Sequence, residues 1–359
     1  MFKGIIALFY DNIILMNEKF VLAGRSLNEI KDFVLNLKMS SFRASQIFSW
    51  IYLKSVKTID DMTDLSLSAR ELLKENAVLS NAFIKDKQIS SDGTIKFLFQ
   101  YPDGVTAEAV LMRFDNRAAL TACISSQSGC PMGCAFCATA KLGFIRNLTA
   151  EEITAQIYLI QADTGLRAAN IVYMGQGEPL LNFENVSASI QMFRDYFQIG
   201  ARRITISTCG IIPGIKKLAE LDCQSRLAVS LHAPNQTVRE TIMPVSKKYN
   251  YADLISALKE YTQITGRRVT IEYVLIKDVN DSFKAAKELA ENIAALKCNV
   301  NLIIYNSHEY SSFKEPDAAS VQKFKYILEA SGKKVTIRLE RGADIAAACG
   351  QLSAKSAAL

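Results

Sequence analysis

The stretch Ser128-Gly-Cys-Pro-Met-Gly-Cys-Ala-Phe-Cys-Ala-Thr139 carries three cysteines, Cys130, Cys134 and Cys137, in the spacing C-x3-C-x2-C. Iron–sulfur clusters are held by cysteine thiolates, normally four of them. Three thiolates at this spacing can bind three irons of a 4Fe-4S cluster and leave the fourth iron open for a substrate or cofactor. The glycines of the stretch allow the backbone to fold tightly, because glycine has no Cβ to crowd the cluster. The stretch therefore predicts a cofactor-binding loop.

A structural zinc knuckle, or plain buried thiols, is the alternative for these cysteines. Zinc usually takes four ligands from Cys and His, arranged in paired groups such as C-x2-C or H-x3-H. The chain has two histidines, His232 and His308, and neither lies near the cysteine stretch. The spacing therefore favours the cluster over zinc.

The composition is that of an ordinary globular protein. Of 359 residues, 49% are hydrophobic and 22% are charged, and the net charge of +6 permits a polyanionic partner without indicating one. Eight cysteines in a chain of this length do not form a dense disulfide framework, and free thiols beside a cluster point to the reducing cytoplasm. No segment approaches the roughly 18 apolar residues of a membrane span, so no membrane association is expected.

The pattern along the chain divides it into five parts. Residues 1–15 form an N-terminal extension that precedes a second methionine, Met16, where translation could also begin. Residues 16–78 are predicted to be a helical accessory domain, in which Ser26 and Glu29 have the spacing of a capping box. A β-rich connecting section over 79–120 and a C-terminal segment over 341–359 flank the largest part, residues 121–340.

This largest part alternates strand and helix patterns and predicts an α/β fold. Six β/α units imply a parallel sheet that closes into a partial (βα)6 barrel. Ligands of such barrels bind at the carboxyl ends of the strands. The cysteine stretch directly follows the first predicted strand, where a cofactor loop is expected. The strands are predicted at 122–126, 170–174, 203–208, 226–231, 269–276 and 300–305.

Polar side chains follow several of these strands and are candidates for binding a ligand. In Met174-Gly-Gln-Gly-Glu-Pro179, Gly177 permits close backbone approach and Glu178 offers a carboxylate to an ammonium group. Hydrogen-bonding groups also end the third, fourth and sixth strands, and for each the alternative is ordinary capping or turn chemistry. These further candidates are Ser207, Ser230, His232 and Asn306.

The five remaining cysteines differ in their sequence context. Cys123 lies seven residues before the first cluster cysteine and must approach the same rim of the barrel. Cys349 lies ten residues from the end of the chain, and its spacing alone pairs it with nothing. The others, Cys209, Cys223 and Cys298, are expected to be small buried hydrophobes.

The chain resembles the radical S-adenosylmethionine (SAM) methyltransferases that methylate carbon 2 of adenine in 23S rRNA and tRNA. The resemblance covers nearly the whole chain from about residue 22. The cluster spacing alone would indicate only the superfamily, whereas the Gly-Glu-Pro-Leu and terminal Cys-Gly-Gln-Leu motifs specify this branch. Gln176 departs from the methionine expected between the two glycines. The matching segments are residues 42–50, 129–149, 174–182, 230–235, 271–281 and 349–352.

The resemblance implies a role for each site residue. Cys349 would accept a methyl group from a first SAM, and a second SAM on the cluster would supply the radical that activates this methyl. Glu108 would remove the carbon-2 proton, and Cys123 would attack Cys349 to form a disulfide that releases the product. The implied SAM contacts are Gly177, Glu178, Ser207, Ser230, Leu231, His232 and Asn306.

The resemblance also implies partners, and it leaves other functions open. It implies 23S rRNA and tRNA as substrates, an electron donor such as flavodoxin or ferredoxin, and a monomeric enzyme. The nearest alternative is a relative that methylates carbon 8 of adenine and confers antibiotic resistance. Two further alternatives are a radical SAM enzyme acting on a peptide or small molecule, and a zinc-stabilised RNA-binding module.

Overall fold

The structure is a computed structural model, which describes residues 19–114, 117–221, 223–308, 310–338 and 340–353. The predicted N-terminal extension, residues 1–15, lies outside the described residues. The first described part contains α1 (Leu27–Asn36), α2 (Phe42–Tyr52) and α3 (Leu67–Asn76). The strands β1 (Phe20–Val21) and β2 (Ala77–Val78) pair in parallel and bring its two ends together.

The capping box predicted at the start of α1 is confirmed. The Ser26 side chain accepts a hydrogen bond from the Glu29 backbone N–H, and the Glu29 side chain accepts one from the Ser26 N–H. Each bond satisfies a backbone donor that the first turn of a helix leaves without a partner.

The remaining strands form one large sheet and one small one. β7 and β8 pair with each other, and the other ten form a sheet in the order β14-β13-β12-β11-β10-β9-β6-β5-β4-β3. In this large sheet β6 and β9–β14 run parallel, while β3, β4 and β5 extend it as antiparallel neighbours. The strands are β3 (Phe83–Ile89), β4 (Ile95–Gln100), β5 (Thr106–Phe114), β6 (Arg117–Cys123), β7 (Gln127–Gly129), β8 (Phe144–Asn147), β9 (Ala168–Tyr173), β10 (Ile204–Thr208), β11 (Arg226–Ser230), β12 (Val269–Leu275), β13 (Cys298–Ile304) and β14 (Lys334–Ile337).

Helices occupy the connections between the parallel strands. The first of them, α4, begins directly after Thr149, which forms a capping box with Glu152. Alternation of parallel strands with helices of this kind is the pattern of an α/β fold. These helices are α4 (Ala150–Thr164), α5 (Phe183–Asp195), α6 (Ile212–Glu220), α7 (Gln236–Ile242), α8 (Tyr251–Thr265), α9 (Phe283–Asn292) and α10 (Ala318–Ala330).

The large sheet is strongly curved, as the predicted partial barrel requires. Residues of β5, β6 and β9–β13, together with Arg338 just beyond β14, line one common cavity. In a flat sheet, β5 and β14 would lie about 34 Å apart, because neighbouring strands are separated by roughly 4.8 Å. The sheet must therefore bend round the cavity, and the α/β partial-barrel fold is confirmed.

All six predicted barrel strands are present, but the sequence prediction missed a seventh parallel strand, β14. This strand is four residues long, and Val335 is its one fully buried side chain. So short a segment gives little periodic signal, and its pairing with β13 depends on the sheet already being in place.

Candidate active site

One cavity lies at the carboxyl ends of the parallel strands, and most of the candidate residues line it. Its volume is about 1080 Å³, including its open mouth. Ten of the thirteen predicted site residues line it: Cys123, Cys130, Cys134, Cys137, Gly177, Glu178, Ser207, Ser230, His232 and Cys349.

The loop with the three clustered cysteines is shaped by its glycines and by β8. Gly129 has φ +71°, and a Cβ on it would lie 1.9 Å from the Gly143 carbonyl oxygen. The backbone N–H of Cys130 donates to this same oxygen at 2.9 Å. Only glycine therefore permits the close approach that turns Cys130 into the cavity.

The three cysteines fit the cluster that their spacing predicts. The Cys130 sulfur accepts a hydrogen bond from the Met132 backbone N–H, and the Cys137 sulfur accepts one from that of Ala140. Such bonds favour the thiolate, the form that binds iron. Burial raises the pKa of both thiols, so a positive charge such as that of iron must offset the cost of ionising them.

The described residues contain no group of three or more His, Cys, Asp or Glu that converges on a single metal ion. A 4Fe-4S cluster does not need such convergence, because each cysteine binds a different iron. Three sulfurs spread along one cavity wall are therefore compatible with a cluster.

The loop after β9 positions Glu178 through its own backbone. Gly177 has φ +98°, and a Cβ there would lie 2.6 Å from Cβ of Gln127. The Glu178 carboxylate accepts hydrogen bonds from the backbone N–H groups of Leu180, at 3.0 Å, and Cys209, at 2.6 Å. Burial raises the pKa of this carboxyl group, while the two backbone donors oppose the shift. The side chain is thus held in one orientation on the cavity wall.

His232, at the end of β11, is a neutral, buried histidine. Burial, and then the charge of Arg239, lower the pKa of His232 to about 3. Its Nδ1 accepts a hydrogen bond from the Val274 backbone N–H at 3.0 Å, so Nε2 carries the proton. The imidazole also packs edge-on against Phe136, with ring centroids 4.9 Å apart.

Arg239 is a fully buried arginine whose hydrogen bonds link the ends of β10 and β11. It donates to the backbone oxygens of Cys209 at 2.6 Å, Ser230 at 3.2 Å and Leu231 at 3.1 Å. A guanidinium presents several donors in a fixed plane, which suits it to bridging carbonyl groups. Nothing in the local sequence indicated this role.

The C-terminal segment docks onto the cluster loop and brings Cys349 into the cavity. The Ala138 backbone N–H donates to the Gly350 oxygen at 2.7 Å, and the Thr139 hydroxyl donates to the Leu352 oxygen at 2.7 Å. The Asn306 amide donates to the Cys349 oxygen at 3.1 Å. Cys349 remains accessible to solvent through the cavity, whereas Cys123 is buried behind it.

Three predicted site residues lie behind the cavity wall. Leu231 is fully buried, and Asn306 is turned toward the backbone of Cys349. Glu108 is buried on β5, with its carboxylate 3.5 Å from the Lys96 ammonium and 3.4 Å from the Gln176 amide. Val110 and Met112, two and four residues farther along β5, line the cavity, so Glu108 continues this face beyond its edge.

Among the cavity-lining residues that sequence reasoning missed, three carry a thiol or a charged group. Cys209, expected to be a buried hydrophobe, lies with its sulfur 4.0 Å from that of Cys134. Glu272 and Arg338 face the cavity from β12 and from the residue after β14. The one sequence signal for Glu272 was that a charged residue stands in the middle of a largely apolar predicted strand. Arg338 had none, because its strand was not predicted.

All eight cysteines are free thiols. The Cys123–Cys349 disulfide implied by the family resemblance is therefore not formed in this structure. The two cysteines nevertheless line the same cavity, although they are remote in sequence.

Comparisons with known proteins agree with this site. The radical SAM superfamily model matches residues 124–290, and the ribosomal RNA large subunit methyltransferase N-terminal domain matches residues 21–79. The chain is 46% identical over 341 residues to the probable dual-specificity RNA methyltransferase RlmN of Alkaliphilus oremlandii, covering 94% of this chain and 98% of that protein. It is 42% identical over 342 residues to the dual-specificity RNA methyltransferase RlmN of Campylobacter fetus, covering 91% of this chain and 97% of that protein.

A solved structure gives the same result. The crystal structure of a radical SAM methyltransferase from Sphaerobacter thermophilus matches with a TM-score of 0.87 at 40% identity, covering 94% of this chain and 100% of that one. Identity and coverage at this level extend over both the accessory helices and the barrel that holds the cysteine loop. The chain therefore belongs to the radical SAM family of dual-specificity RNA methyltransferases.

Proposed function

We propose that this enzyme methylates carbon 2 of adenine in 23S rRNA and in tRNA, with Cys349 as the carrier of the methyl group. The observation that carries the proposal is the placement of Cys349 and Cys123 in the same cavity as the three cluster cysteines. Carbon 2 of adenine is electrophilic and has no lone pair, so ordinary polar methylation by SAM is unsuitable. A methyl group delivered from the protein as a carbon radical offers a different route.

In this proposal Cys130, Cys134 and Cys137 hold a 4Fe-4S cluster. When bound, the cluster and SAM supply a 5′-deoxyadenosyl radical, and two SAM molecules are used per turnover. Glu178 offers its buried carboxylate to the SAM ammonium. Gly177, Ser207, Ser230, Leu231, His232 and Asn306 complete the proposed SAM site, with Leu231 and Asn306 acting from behind the wall.

Cys349 first takes a methyl group from SAM. Its sulfur displaces the methyl from the sulfonium, so that one S–C bond breaks as another forms and the thiol proton is lost. Solvent access to Cys349 through the cavity suits this role, because SAM must reach the sulfur.

The 5′-deoxyadenosyl radical would take a hydrogen atom from the Cys349 methyl group, and the resulting methylene radical would add to carbon 2. The adduct would give up its unpaired electron to an oxidised one-electron carrier of the flavodoxin or ferredoxin class, and Glu108 is proposed to remove the proton from carbon 2. Lys96, 3.5 Å away, is positioned to stabilise the charged carboxylate, which is the form that accepts a proton. Because Glu108 lies behind the wall, the adenine edge must reach past Val110, or the β5 edge must shift, for direct transfer.

Cys123 then attacks the Cys349 sulfur and forms a disulfide. The bond from Cys349 to the methylene carbon breaks, and its electron pair stays with that carbon, which takes up a proton and becomes the methyl group of the product. The two sulfurs are oxidised as the carbon is reduced, so electrons balance.

The proposal includes partners and a location. A low-potential electron donor such as flavodoxin or ferredoxin would reduce the cluster, and the enzyme would act as a monomer in the cytoplasm. Among the described residues, no helix is long and apolar enough to cross a membrane. To present its base, the RNA must unstack the target adenine from a loop or stem.

The test is mass spectrometry of nucleosides from protein-free 23S rRNA and tRNA transcripts incubated with reconstituted enzyme, SAM and a reductant. We expect 2-methyladenosine in both RNAs. 8-Methyladenosine would move the enzyme to the resistance-conferring branch, and a complete lack of methylated adenosine with an intact cluster would overturn the substrate assignment. A product restricted to rRNA would remove tRNA from the proposal.

A further inference from the structure

A small charged group lies across the cavity from the cluster loop. It consists of Glu272 on β12, its neighbour Asn301 on β13, and Arg338 just after β14. The strand register places Glu272 between Ser230 and Asn301, so these three residues form one row across the sheet. The proposed reaction gives no role to Glu272, Asn301 or Arg338.

Glu272 is a buried carboxylate with incomplete hydrogen bonding. One of its oxygens accepts a hydrogen bond from the Asn301 amide at 3.0 Å. The other, Oε2, has no hydrogen-bond partner and lies 3.9 Å from Nη1 of Arg338. An unpaired buried carboxylate oxygen is costly, so the nearby guanidinium compensates only part of this cost.

Arg338 is held in place without being fully engaged. Its backbone N–H donates to the Leu302 oxygen at 2.8 Å, which continues the pairing with β13. Its Nη1 lies 3.1 Å from the Met174 sulfur, a weak acceptor. The guanidinium is within electrostatic range of both Cys123 and Cys349, and it is the one Lys or Arg among the described residues that line the cavity.

The proposed reaction creates a need for such a cation. Cysteine attacks as a thiolate. Burial, followed by the neighbouring Cys349, raises the pKa of Cys123 to about 12, while Arg338 opposes this shift. A buried sulfur with so high a pKa is almost entirely protonated near neutral pH, and a nearby positive charge is the direct way to lower the cost of ionising it.

We propose that Arg338 is a positioning residue that supplies the positive charge under which the Cys123 sulfur becomes anionic for its attack on Cys349. This inference rests on the proposed role of Cys123. The attack forms the S–S bond and breaks the Cys349 S–CH2 bond, whose electron pair goes to the methylene carbon. Arg338 forms no bond to the reacting atoms in this step.

Glu272 has the opposite effect in this arrangement. Its carboxylate tethers the guanidinium, but it also neutralises part of the positive charge that the sulfurs experience. Burial first raises the pKa of Cys349, Arg338 lowers it, and Glu272 raises it again. Removing the charge of Glu272 should therefore make the sulfurs more reactive, and removing that of Arg338 should make them less so.

The experiment measures alkylation of Cys123 by iodoacetamide, resolved by peptide mass spectrometry, in the cluster-reconstituted enzyme across a range of pH. All variants carry Cys349→Ala, so that a methylated or disulfide-bonded Cys349 does not interfere. Well below the pKa of Cys123, the alkylation rate is proportional to the fraction of thiolate, so the rate at a fixed pH between 7 and 9 reports the ionisation of Cys123. The groups that face Cys123 in the full-length enzyme are Arg338, the backbone of Met174 and Cys349 itself.

We expect Arg338→Gln to slow alkylation at pH 8 about tenfold by raising the pKa of Cys123; this corresponds to roughly 1.4 kcal/mol. Arg338→Lys should stay within about threefold of the parent, because it keeps the charge. Glu272→Gln should accelerate alkylation. Arg341→Gln is the matched control, since Arg341 pairs with Asp92 at 3.8 Å outside the cavity and should leave the alkylation rate unchanged.

An unchanged alkylation rate at pH 8 in Arg338→Gln would overturn the inference. So would a Glu272→Gln variant that slows alkylation as much as Arg338→Gln does, because both changes would then act by loosening the structure. The readout needs neither RNA nor SAM. A failed inference is therefore distinguishable from a failure of the proposed function, which the nucleoside analysis tests separately.

Discussion

The two sides of the cavity are built in different ways. On the cofactor side, short contiguous segments fix each group through the backbone: Glu178 accepts two backbone N–H bonds, and His232 accepts a third from Val274. On the sulfur side, Cys123, Arg338 and Cys349 come from segments that are remote in sequence and meet only in the folded chain. The cofactor side is thus preformed by local geometry, whereas the sulfur side depends on docking of the C-terminal segment.

We call these two sides the cofactor half, which is rigid, and the sulfur half, which forms only when the C-terminal segment is docked. The C-terminal segment is held on the cluster loop by a few hydrogen bonds, among them those from Ala138 and Thr139. Because these donors belong to the cluster loop itself, assembly of the cofactor side supports placement of Cys349. Five predictions test this relation between the two halves.

The largest expected effect comes from removing one cysteine on each side. Cys137→Ala should abolish both the cluster and methylation, whereas Cys349→Ala should abolish methylation and leave the cluster intact. The physical reason is that Cys137 is a proposed iron ligand and Cys349 a proposed methyl carrier. Iron and sulfide content with visible absorbance reports the cluster, and labelled SAM reports methyl transfer to RNA.

An intact cluster in Cys137→Ala would contradict the ligand assignment. Loss of iron from Cys349→Ala would show instead that the sulfur side supports the cofactor side, the reverse of the proposed dependence.

Cys123→Ala should stall the reaction after the methylene group has joined the RNA. Without the attacking sulfur, the Cys349 S–CH2 bond has no route to break, and a covalent protein–RNA adduct accumulates. Denaturing gel electrophoresis with labelled RNA detects the adduct, and Cys223→Ala, at a cysteine outside the cavity, is the control. Normal turnover to free methylated RNA would remove Cys123 from the mechanism.

Gly177→Ala should damage the rigid cofactor half selectively. The positive φ and the 2.6 Å approach to Gln127 both oppose a Cβ. We expect the SAM dissociation constant to rise roughly thirtyfold, equivalent to about 2 kcal/mol of loop strain. Gly93→Ala is the matched control: Gly93 has φ +78° with nothing within 4 Å of a Cβ, so it should lower stability slightly without changing SAM affinity.

Equal SAM affinities for the two alanine variants would mean that the loop relaxes around the new methyl group. The cofactor half would then be less rigid than its contacts indicate.

His232 should make the protein sensitive to acid. Its folded pKa of about 3 lies below the ordinary value of 6.5, so the unfolded chain takes up a proton that the folded one refuses. Stability is therefore full above pH 6.5 and falls as the pH drops toward 3, by about 2 kcal/mol between pH 6.5 and 5. Urea unfolding at the two pH values measures this loss.

His232→Asn should reduce that acid sensitivity. Asparagine tolerates the left-handed backbone of this position, φ +56°, and its oxygen can accept the Val274 N–H. If the variant loses as much stability between pH 6.5 and 5 as the parent, another group carries the acid dependence.

Gln176→Met should have the smallest effect of the five. Gln176 accepts a hydrogen bond from the Glu108 backbone N–H at 3.3 Å and donates one to its carboxylate at 3.4 Å. Both bonds are long, so we expect their loss to cost about 1 kcal/mol, or roughly fivefold in the methylation rate. SAM affinity should not change, and unchanged rates would show that Gln176 is not needed to hold Glu108.

Much of the cofactor side could be predicted because its signals are local. The C-x3-C-x2-C spacing and the Gly-Gln-Gly-Glu turn each lie within a few residues. Residues at the carboxyl ends of parallel strands must share one edge of the sheet, so Ser207, Ser230 and Cys123 could be placed together before the structure was known. The family resemblance rests on the cysteine spacing, the Gly-Glu-Pro-Leu motif and the terminal Cys-Gly-Gln-Leu motif.

The sequence alone therefore predicted the kind of cofactor loop, six of the seven parallel strands and the family. How the distant segments meet is visible only in the folded structure. There the short strand β14 places Arg338 near Glu272, and Cys209 lies beside Cys134. Glu108 is buried behind the cavity wall, next to Lys96. The two kinds of feature differ because the interactions behind them act over different distances along the chain. Backbone geometry and helix capping act within a few residues, whereas burial and charge pairing depend on neighbours that only folding supplies.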